Sequence, residues 1–321
     1  MTRNQTYHLQ PVVSGSGDKA ASPPARTMTF YAPGLKRHKT AEYAQQNPAE
    51  FVSISVTGTG CALACEHCKS GVLRGMAALP RAGGSLYDLC ADAKSRGARG
   101  VLISGGSDRR GRVPLLKHMP DMIRVSRDLG LLIRVHPGLP DDATCAGLGQ
   151  VGIDGAMIDV IGHGDTIRDV YHLDAQPDAY DSLLARLARY GVPIVPHIVI
   201  GLHFGRMLGE WCALEMIARH RPRLLVLVVL MPLTGTPMAG VAIPPAEEIG
   251  AFFRLARRTL PHIPVMLGCA RPLGPIKAEI DRMAVDAGLD GIAYPAQGTI
   301  AYARDRNIAP RFVDACCGVS W

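Results

Sequence analysis

Eight apolar runs of four to nine residues recur along the chain and define its organisation. They are FVSISV (51–56), GVLIS (100–104), LLIRV (131–135), AMIDVI (156–161), PIVPHIVIG (193–201), LLVLVVLM (224–231), PVMLG (264–268) and GIAY (291–294). Their lengths and their richness in Val, Ile and Leu predict β-strands that are buried on both faces. Such strands are typical of a parallel sheet covered by helices.

Apolar residues with helical spacing occupy several of the intervals between these runs. Four stripes show the i, i+3, i+4, i+7 pattern, within residues 86–93, 180–187, 249–256 and 280–287. Ser85 is the predicted N-cap of the first helix, which Gly97 would end, and Gly191 would end the second. We interpret the stripes as the core-facing sides of helices rather than as cofactor sites.

Strand and helix alternate about eight times, which predicts a single α/β domain. The spacing favours a (β/α)8 TIM-type barrel, complete or nearly so. A doubly wound open sheet is the alternative, although that fold would need fewer strands for this length. The pattern predicts a flexible leader over residues 1–27, an N-terminal arm over 28–50 and the barrel domain over 51–321. The barrel domain would include a C-terminal tail over the barrel mouth.

The composition supports a folded chain with a large core. Of the 321 residues, 47% are hydrophobic and 20% are charged, which argues against a disordered protein. The net charge of +7 would suit an acidic partner. However, the sequence has no long Lys/Arg run and only 5% aromatic residues, so nucleic acid is not a predicted partner.

The sequence shows no pattern typical of membrane insertion or secretion. It has no uninterrupted apolar stretch of about 18 residues or more, so no membrane span is predicted. The first ten residues, MTRNQTYHLQ, lack the apolar core of a signal peptide. We therefore expect a cytoplasmic protein, in which the nine cysteines serve as metal ligands and buried thiols rather than as disulfides.

Three cysteines lie close together in the loop predicted to follow the first of the eight strands. Cys61, Cys65 and Cys68 fall within SVTGTGCALACEHCKSG, and no fourth cysteine lies nearby. A structural zinc site or a ferredoxin-type cluster uses four protein ligands. Three ligands on a four-iron cluster would instead leave one iron open. The alternatives are a zinc or electron-transfer site and chance clustering.

The C-x3-C-x2-C spacing resembles the signature of the radical S-adenosylmethionine (SAM) superfamily. This resemblance implies that Cys61, Cys65 and Cys68 hold a [4Fe–4S] cluster whose open iron binds the amino and carboxylate groups of SAM. It also implies that an electron from the cluster cleaves SAM to a 5′-deoxyadenosyl radical. The position suits this role, because barrel enzymes carry their chemistry at the carboxyl ends of the strands.

Other residues match superfamily motifs that contact SAM. Gly105 and Gly106 in ISGGSD resemble the glycine pair near the SAM amino group, with Ser107 in place of the usual acidic residue and Asp108 next. Glycine there would permit close backbone approach to a ligand, and the alternative is a tight strand–helix turn. His67 occupies a position that an aromatic residue often holds beside the adenine.

Further candidate SAM contacts come from the later strands. Gly201 in IVIGLHFG resembles the superfamily's glycine motif near the adenine. Asp159, near the end of the fourth strand, is a candidate partner of the ribose, or else a member of a structural salt bridge. Arg134 and Arg168 are candidates for the SAM carboxylate, which a guanidinium matches bidentately, and surface positions are the alternative for both. His136 would face the same mouth, and we interpret it as a core histidine.

The remaining cysteines divide into two groups. Three lie in helical patterns and are interpreted as ordinary buried thiols, namely Cys90, Cys145 and Cys212. Cys269 directly follows the seventh strand in VMLGCARP, and Cys316 and Cys317 are adjacent in DACCGVSW. A tail folded back over the mouth would bring the pair to Cys269, so these three are candidate ligands of a second iron–sulfur cluster, with Ser320 as a candidate fourth. The alternative is three unconnected thiols.

In combination, the motifs resemble the first component of the two-protein lipoyl synthases, within the biotin-synthase-like branch of the superfamily. The resemblance covers roughly residues 50 to 321 and rests on EFVSISVTGTGCALACEHC, LISGGSDRRGRVPL, VPHIVIGLHFG, MPLTGTPM, LGCARPLG and the Cys-Cys pair. It implies that the adenosyl radical removes hydrogen from C6 or C8 of an octanoyl chain on a lysine of a lipoyl-carrier protein. A sacrificial auxiliary cluster on Cys269, Cys316 and Cys317 would then supply the sulfur. The implied partners are a companion radical SAM component, which would install the other sulfur, and a ferredoxin-like electron donor.

Two other functions remain open on the sequence. One is a different biotin-synthase-like radical SAM enzyme, such as a mutase or a maturation factor, without sulfur donation. The other is a non-catalytic iron–sulfur or zinc protein. Single-chain lipoyl synthases carry their auxiliary cysteines on an N-terminal extension, whereas this sequence has no cysteine before residue 61. An auxiliary site would therefore have to be built from the C-terminal trio.

Overall fold

A computed structural model describes residues 26–34, 36–79, 84–319 and 321. Residues 1–25, which include nearly all of the predicted leader, lie outside the described residues, and so does Ser320. The described strands are β1 (Thr27–Tyr31), β2 (Phe51–Ser55), β3 (Ala77–Ala78), β4 (Gly100–Ser104), β5 (Leu132–Val135), β6 (Gly155–Asp159), β7 (Ile194–Ile200), β8 (Leu225–Val229), β9 (Val265–Leu267), β10 (Gly291–Ala293) and β11 (Ala309–Val313). The eight predicted runs correspond to β2 and to β4 through β10.

The strands form one curled sheet in which each pair of neighbouring strands is parallel. Their order is β11-β1-β10-β9-β8-β7-β6-β5-β4-β2-β3, so the strands from β4 to β10 lie side by side in chain order. Residues pair in register along each ladder, for example Phe51 with Gly100 and Ser55 with Ser104. The predicted α/β class and barrel-type curvature are confirmed. The sheet is an open partial barrel with β3 and β11 at its edges.

Helices alternate with the strands and cover the outer face of the sheet. They are α1 (Leu86–Ser95), α2 (Met119–Arg124), α3 (Asp142–Val151), α4 (Gly164–Asp169), α5 (Pro177–Arg189), α6 (Glu210–Arg219), α7 (Ala246–Thr259), α8 (Pro275–Asp286) and α9 (Thr299–Arg304). All four predicted stripes lie in helices. The predicted cap of α1 is present as a capping box, in which Ser85 Oγ accepts from Asp88 N and the Asp88 carboxylate accepts from Ser85 N. No helix in the described ranges is long and apolar enough to cross a bilayer.

The sequence pattern missed β1, β3 and β11. In β1, TMTFY alternates polar and apolar residues, and only the apolar Met28 and Phe30 are fully buried in its first four positions. This strand lies between β10 and β11, across the boundary between the predicted leader and arm. Strand β11 is an edge strand whose first four residues are half-buried or exposed, so it has no continuous apolar run. Strand β3 has only two residues.

The inner face of the sheet has its own apolar cluster, separate from the core under the helices. The strands contribute residues such as Leu102, Met157, Val195, Val226 and Met266 to this cluster. The segment that follows β11 supplies the other side of it, through residues 315–317 and 319. The chain therefore fills the inside of its own curled sheet.

The C-terminal tail runs through this interior to the edge opposite the mouth. After the buried Cys316 and Cys317, the Trp321 ring lies 6.3 Å from the ring of Phe51, and the guanidinium of Arg99 lies 4.3 Å from the Trp321 ring centroid. Phe51 begins β2 and Arg99 directly precedes β4, so both mark the amino ends of strands. The predicted tail over the mouth is thus corrected to a tail inside the barrel, because its apolar side chains are buried there.

A fully buried ion pair holds the loop after β9. Arg271 Nε donates to Asp281 Oδ1 at 2.6 Å, and neither side chain is exposed to solvent. The guanidinium also donates to the carbonyls of Gly268 and Tyr294, at 2.8 and 3.0 Å. These bonds join the loop after β9, which carries Cys269, to α8 and to the segment after β10.

Replacing Asp281 by alanine should strongly destabilise the protein. The change leaves a buried guanidinium without its carboxylate, which typically costs about 3–5 kcal/mol. Asp286→Ala on the same helix is the matched control, because its pair with Arg306 is half-exposed and such pairs are worth about 0–1 kcal/mol. Denaturant unfolding of both variants measures the difference. Equal losses would contradict a dominant role for the buried pair.

Candidate functional site

The cysteine loop directly follows β2 at the carboxyl edge of the sheet. Cys65 is buried, whereas Cys61 and Cys68 are partly exposed. The backbone turns tightly here, since Cys68 N and Lys69 N both donate to the carbonyl of Cys65. The three predicted ligands therefore lie on one compact loop at the mouth.

The thiols of this loop act on one another electrostatically. The Cys68 side chain raises the pKa of Cys65, and the Cys65 side chain lowers the pKa of Cys68. Burial adds to the rise at Cys65, and His67 adds to the lowering at Cys68. The thiolate form is therefore favoured at Cys68 rather than at Cys65. A thiolate is the form that binds zinc or iron.

The glycine pair after β4 packs directly against the cysteine loop. Gly106 N donates to Thr57 Oγ1 at 2.7 Å, and Ala62 N donates to the Ser107 carbonyl at 2.8 Å. A Cβ atom on Gly106 would lie 1.8 Å from the carbonyl oxygen of Gly60 and 2.6 Å from Cys61 Cα. Only glycine fits at this contact. The two motifs that the sequence singled out therefore share one site.

A cavity of about 450 Å³ opens beside this contact. Cys61, Gly106 and Ser107 form part of its wall. Arg112 lies on another part, where it pairs with Asp108 at 3.2 Å and with Asp141 at 2.9 Å. The volume falls within the usual range for small-molecule sites. The cavity is large enough for a ligand that also reaches the cysteine loop.

A polar group faces the interior near the ends of β5, β6 and β7. His136 Nε2 lies 3.7 Å from Asp159 Oδ1, and the rings of His136 and His197 are 5.7 Å apart. Tyr171 donates to the other oxygen of Asp159 at 3.4 Å. Burial lowers the pKa of His197 to about 4, so its imidazole is neutral. Two imidazoles and a carboxylate suit either a transition metal or the hydroxyl groups of an organic ligand.

Sequence reasoning found Asp159 here, interpreted His136 as a core histidine although its side chain is partly exposed, and missed His197 and Tyr171. His197 lies inside the apolar run of β7, where an isolated histidine looks like a core residue. The feature that could have identified His197 is its place in a buried strand, where it pairs in register with Asp159. Tyr171 also contacts the cysteine loop, because its ring lies 5.2 Å from that of His67.

His67 has a buried nitrogen that lacks a partner. Its Nδ1 atom is buried and has no hydrogen-bond partner in the described part of the chain. Such an atom is costly unless something accepts or donates to it. Its position between Cys65 and Cys68 is consistent with a ligand bound at this loop, as the sequence predicts.

Two other predicted contacts have different surroundings. Arg168 lies on α4 with 65% of its side chain exposed, and it pairs with Asp165 at 2.8 Å and Asp169 at 2.7 Å. Gly201 ends β7 with φ of +77°, and a Cβ there would lie 2.5 Å from Pro244 Cδ. The structure brings Arg168 to the surface rather than to the cysteine loop, and it gives Gly201 a turn that requires glycine.

The second cysteine trio is brought together inside the barrel. Cys316 and Cys317 belong to the inner apolar cluster, and Cys269, on the loop after β9, packs against it. Burial raises the pKa of all three thiols, to about 12 for Cys316, and the charge of Cys269 adds to the rise at the other two. Three thiols beside one apolar cluster are a donor set that fits an iron–sulfur cluster. The candidate fourth ligand, Ser320, lies outside the described residues.

The other three cysteines differ in burial. Cys90 and Cys145 are buried, as interpreted from the sequence. Cys212 on α6 is exposed, because it lies on the solvent side of that helix. All nine cysteines are free thiols in the structure.

Comparison with known proteins identifies the fold. No protein-family model and no curated protein matches the chain. The structure of methylornithine synthase (PylB) matches with a TM-score of 0.55 at 15% identity, covering 81% of this chain and 83% of PylB. HydG from Carboxydothermus hydrogenoformans, an FeFe-hydrogenase maturase, gives 0.58 at 14%, covering 90% and 69%. SuiB from Streptococcus suis, bound to S-adenosylmethionine, gives 0.52 at 11%, covering 79% and 60%.

These likenesses show a shared fold. The chain shares with methylornithine synthase and the other structures a curled, parallel partial barrel. At such low identity a fold can host different activities, so activity has to follow from the chain's own residues.

Gly106→Ala should disrupt the cysteine loop, since its new methyl group would overlap the backbone at Gly60 and Cys61. We expect iron bound after anaerobic reconstitution to fall toward that of a Cys61→Ala/Cys65→Ala/Cys68→Ala variant. Gly71→Ala is the control, because a Cβ at Gly71 meets no atom within 4 Å. Iron analysis measures the effect. Full iron in Gly106→Ala would show that the close contact does not support metal binding.

Proposed function

We propose that this protein is a radical SAM enzyme that inserts sulfur into a protein-bound octanoyl chain. One observation carries the proposal. Two separate sets of three thiols lie in one barrel, one at the mouth (Cys61, Cys65 and Cys68) and one inside (Cys269, Cys316 and Cys317). A radical source needs the first set, and a sulfur source built into the protein needs the second.

The residues at the mouth fit a [4Fe–4S] cluster and SAM. Cys61, Cys65 and Cys68 would hold the cluster through three irons, leaving one open. When bound, the cluster would supply the electron that cleaves SAM to a 5′-deoxyadenosyl radical. Gly106 lets the cysteine loop pack closely against the end of β4, beside the cavity that Ser107 and Cys61 line.

Several side chains would orient SAM and the substrate. Asp159 has a carboxylate directed at the interior, where it would accept from the ribose hydroxyls. His67, backed by Tyr171, would lie beside the adenine. Ser107 lines the cavity next to Cys61 and would contact the amino group. Gly201 shapes the turn after β7, which would lie on the adenine side. Arg168 is not included among the SAM contacts, because it is paired with an aspartate at the surface.

The apolar interior suits the second centre. When bound at the inner trio, an auxiliary cluster would supply the sulfur that the octanoyl chain receives. The inner faces of the strands are apolar, and residues such as Leu102, Met157 and Val228 keep water away from this region. Exclusion of water protects a carbon radical from side reactions.

The proposal also implies the substrate and the protein partners of this enzyme. The substrate would be an octanoylated lysine on a lipoyl-carrier protein, with a companion radical SAM component for the second sulfur and a ferredoxin-like electron donor. The net charge of +7 favours an acidic carrier and donor. The expected setting is the cytoplasm, where the nine thiols stay reduced.

A second candidate is a one-cluster radical SAM enzyme without sulfur donation. The observation that favours it is the fold match to methylornithine synthase, which extends over 81% of this chain. The inner cysteines would then be structural thiols or carry electrons. A non-catalytic iron–sulfur or zinc protein is the remaining alternative, which SAM cleavage would exclude.

Radical chemistry predicts that the reduced, iron-loaded protein cleaves SAM. With dithionite it should release 5′-deoxyadenosine and methionine, and Cys61→Ala/Cys65→Ala/Cys68→Ala should release neither. Cys212→Ala is the control, because this cysteine is exposed and far from either trio in the chain. Mass spectrometry of the products measures the reaction. A fully loaded wild type that leaves SAM intact would favour the non-catalytic alternative.

Sulfur donation predicts two clusters. Reconstituted wild type should bind about eight irons, and the variant without Cys61, Cys65 and Cys68 about four. With an octanoyl-lysine peptide and SAM, the wild type should yield a thiolated peptide and lose inner-centre iron. A wild type with about four irons that fall to near zero in the variant would leave only the one-cluster enzyme.

A further inference from the structure

Arg134 is a buried cation inside the barrel. It lies on β5 with 1% of its surface exposed, and its side chain points to the inner face of the sheet. Gly155 on the neighbouring strand makes room for it, since a Cβ there would lie 2.8 Å from Arg134 Nη1. The barrel is thus shaped around this guanidinium.

The guanidinium has few partners for a buried charge. Its Nη2 donates to the carbonyl of Gly318 at 3.2 Å, and its Nε has no hydrogen-bond partner among residues 26–34, 36–79, 84–319 and 321. No carboxylate in those ranges forms an ion pair with it. Arg271, the other fully buried arginine, is paired with both carboxylate oxygens of Asp281. Its guanidinium also donates to two backbone carbonyls.

This difference has an energetic consequence. A buried charge without a counter-ion costs several kcal/mol, and an arginine stays protonated in proteins. Burial lowers the pKa of Arg134, as expected for a cation in an apolar site. The nearby Asp154 also acts electrostatically on the guanidinium, but no ion pair joins the two side chains in the described residues, and its carboxylate accepts from Ile133 N at 2.8 Å. Arg134 therefore lacks a directly paired counter-ion in this part of the chain.

The other acidic groups that act on Arg134 are thiols of the tail. Cys316 and Cys317 both act electrostatically on the guanidinium, and Gly318, whose carbonyl it holds, directly follows them. Metal binding removes their protons and leaves thiolates, which are the missing negative charge.

We propose that Arg134 is a positioning residue for a metal centre on Cys269, Cys316 and Cys317. Its guanidinium balances the charge of the thiolates, and its bond to Gly318 fixes the Cys-Cys turn. This inference rests on the second centre of the proposed function and deepens it. It assigns Arg134 to the inner site rather than to the SAM carboxylate, for which the sequence had offered it.

The test uses the full chain with Cys61→Ala/Cys65→Ala/Cys68→Ala as parent, so that only the inner trio binds iron. Arg134→Met removes the charge at similar length, Arg134→Lys keeps it, and Arg223→Gln removes an exposed charge close to Arg134 as a control. Each protein is reconstituted anaerobically with ferrous iron and sulfide. Iron release to a chelator and the midpoint potential are then measured.

We expect Arg134→Met to release iron about 10–100-fold faster than the parent, the usual effect of removing a partner of metal ligands. Its midpoint potential should move to more negative values, because reduction adds negative charge that the guanidinium no longer balances. Arg134→Lys should lie between Arg134→Met and the parent, and Arg223→Gln should match the parent. Parent-like release and potential in Arg134→Met would overturn the proposal.

Thermal unfolding separates this role from a purely structural one. Without metal, Arg134→Met should have a higher Tm than the parent, because it removes an unpaired buried charge. The rise in Tm on iron loading should be smaller in Arg134→Met than in the parent. An equal fall in Tm in both forms would indicate a structural residue and overturn the proposal. A parent that takes up no iron would remove the second centre itself, and sulfur donation with it, while SAM cleavage by the wild type would stand.

Discussion

The inner face of the curled sheet has to be covered, and this requirement organises the molecule. The sheet is open, so its inward apolar residues, such as Val195 and Val226, would meet water without a cover. The segment after β11 covers them by inserting its own apolar side chains. Burial of apolar surface is the dominant favourable term in folding, and the inner face contributes to it. The same burial carries Cys316 and Cys317 to Cys269, so completing the core and assembling the inner site are one event.

Much of the fold could be predicted because strands that are buried on both faces appear in the sequence as nearly continuous apolar runs. The runs of β2 and of β4 through β10 are nearly all apolar, and alternating helical stripes imply a parallel sheet. Strand β1 was missed because its residues alternate, and β11 because an edge strand has little to bury. Their pairing joins β1, which precedes the predicted barrel domain, to β10 and β11 near the other end of the chain, and a local pattern does not report such contacts.

The candidate site was predictable where topology alone decides position. Parallel strands end at one edge, so the cysteine loop and the glycine pair had to meet there, and Gly106 does contact Cys61. Topology alone does not determine the direction in which a side chain points. Arg134 and Arg168 looked alike in sequence, yet one is buried in the barrel and the other is at the surface. The spacing of Asp165 and Arg168 was a usable signal for a surface pair on a helix.

The two cysteine trios differ in how their members are joined. Cys61, Cys65 and Cys68 share one loop, so little chain has to be ordered to bring them together. Cys269 and the Cys-Cys pair lie on separate elements and meet only when the tail is seated in the finished sheet. Closing the longer loop costs more entropy and comes later in folding. The mouth trio is therefore the first to become able to bind metal, and the inner trio is the first to be lost when the tail comes loose.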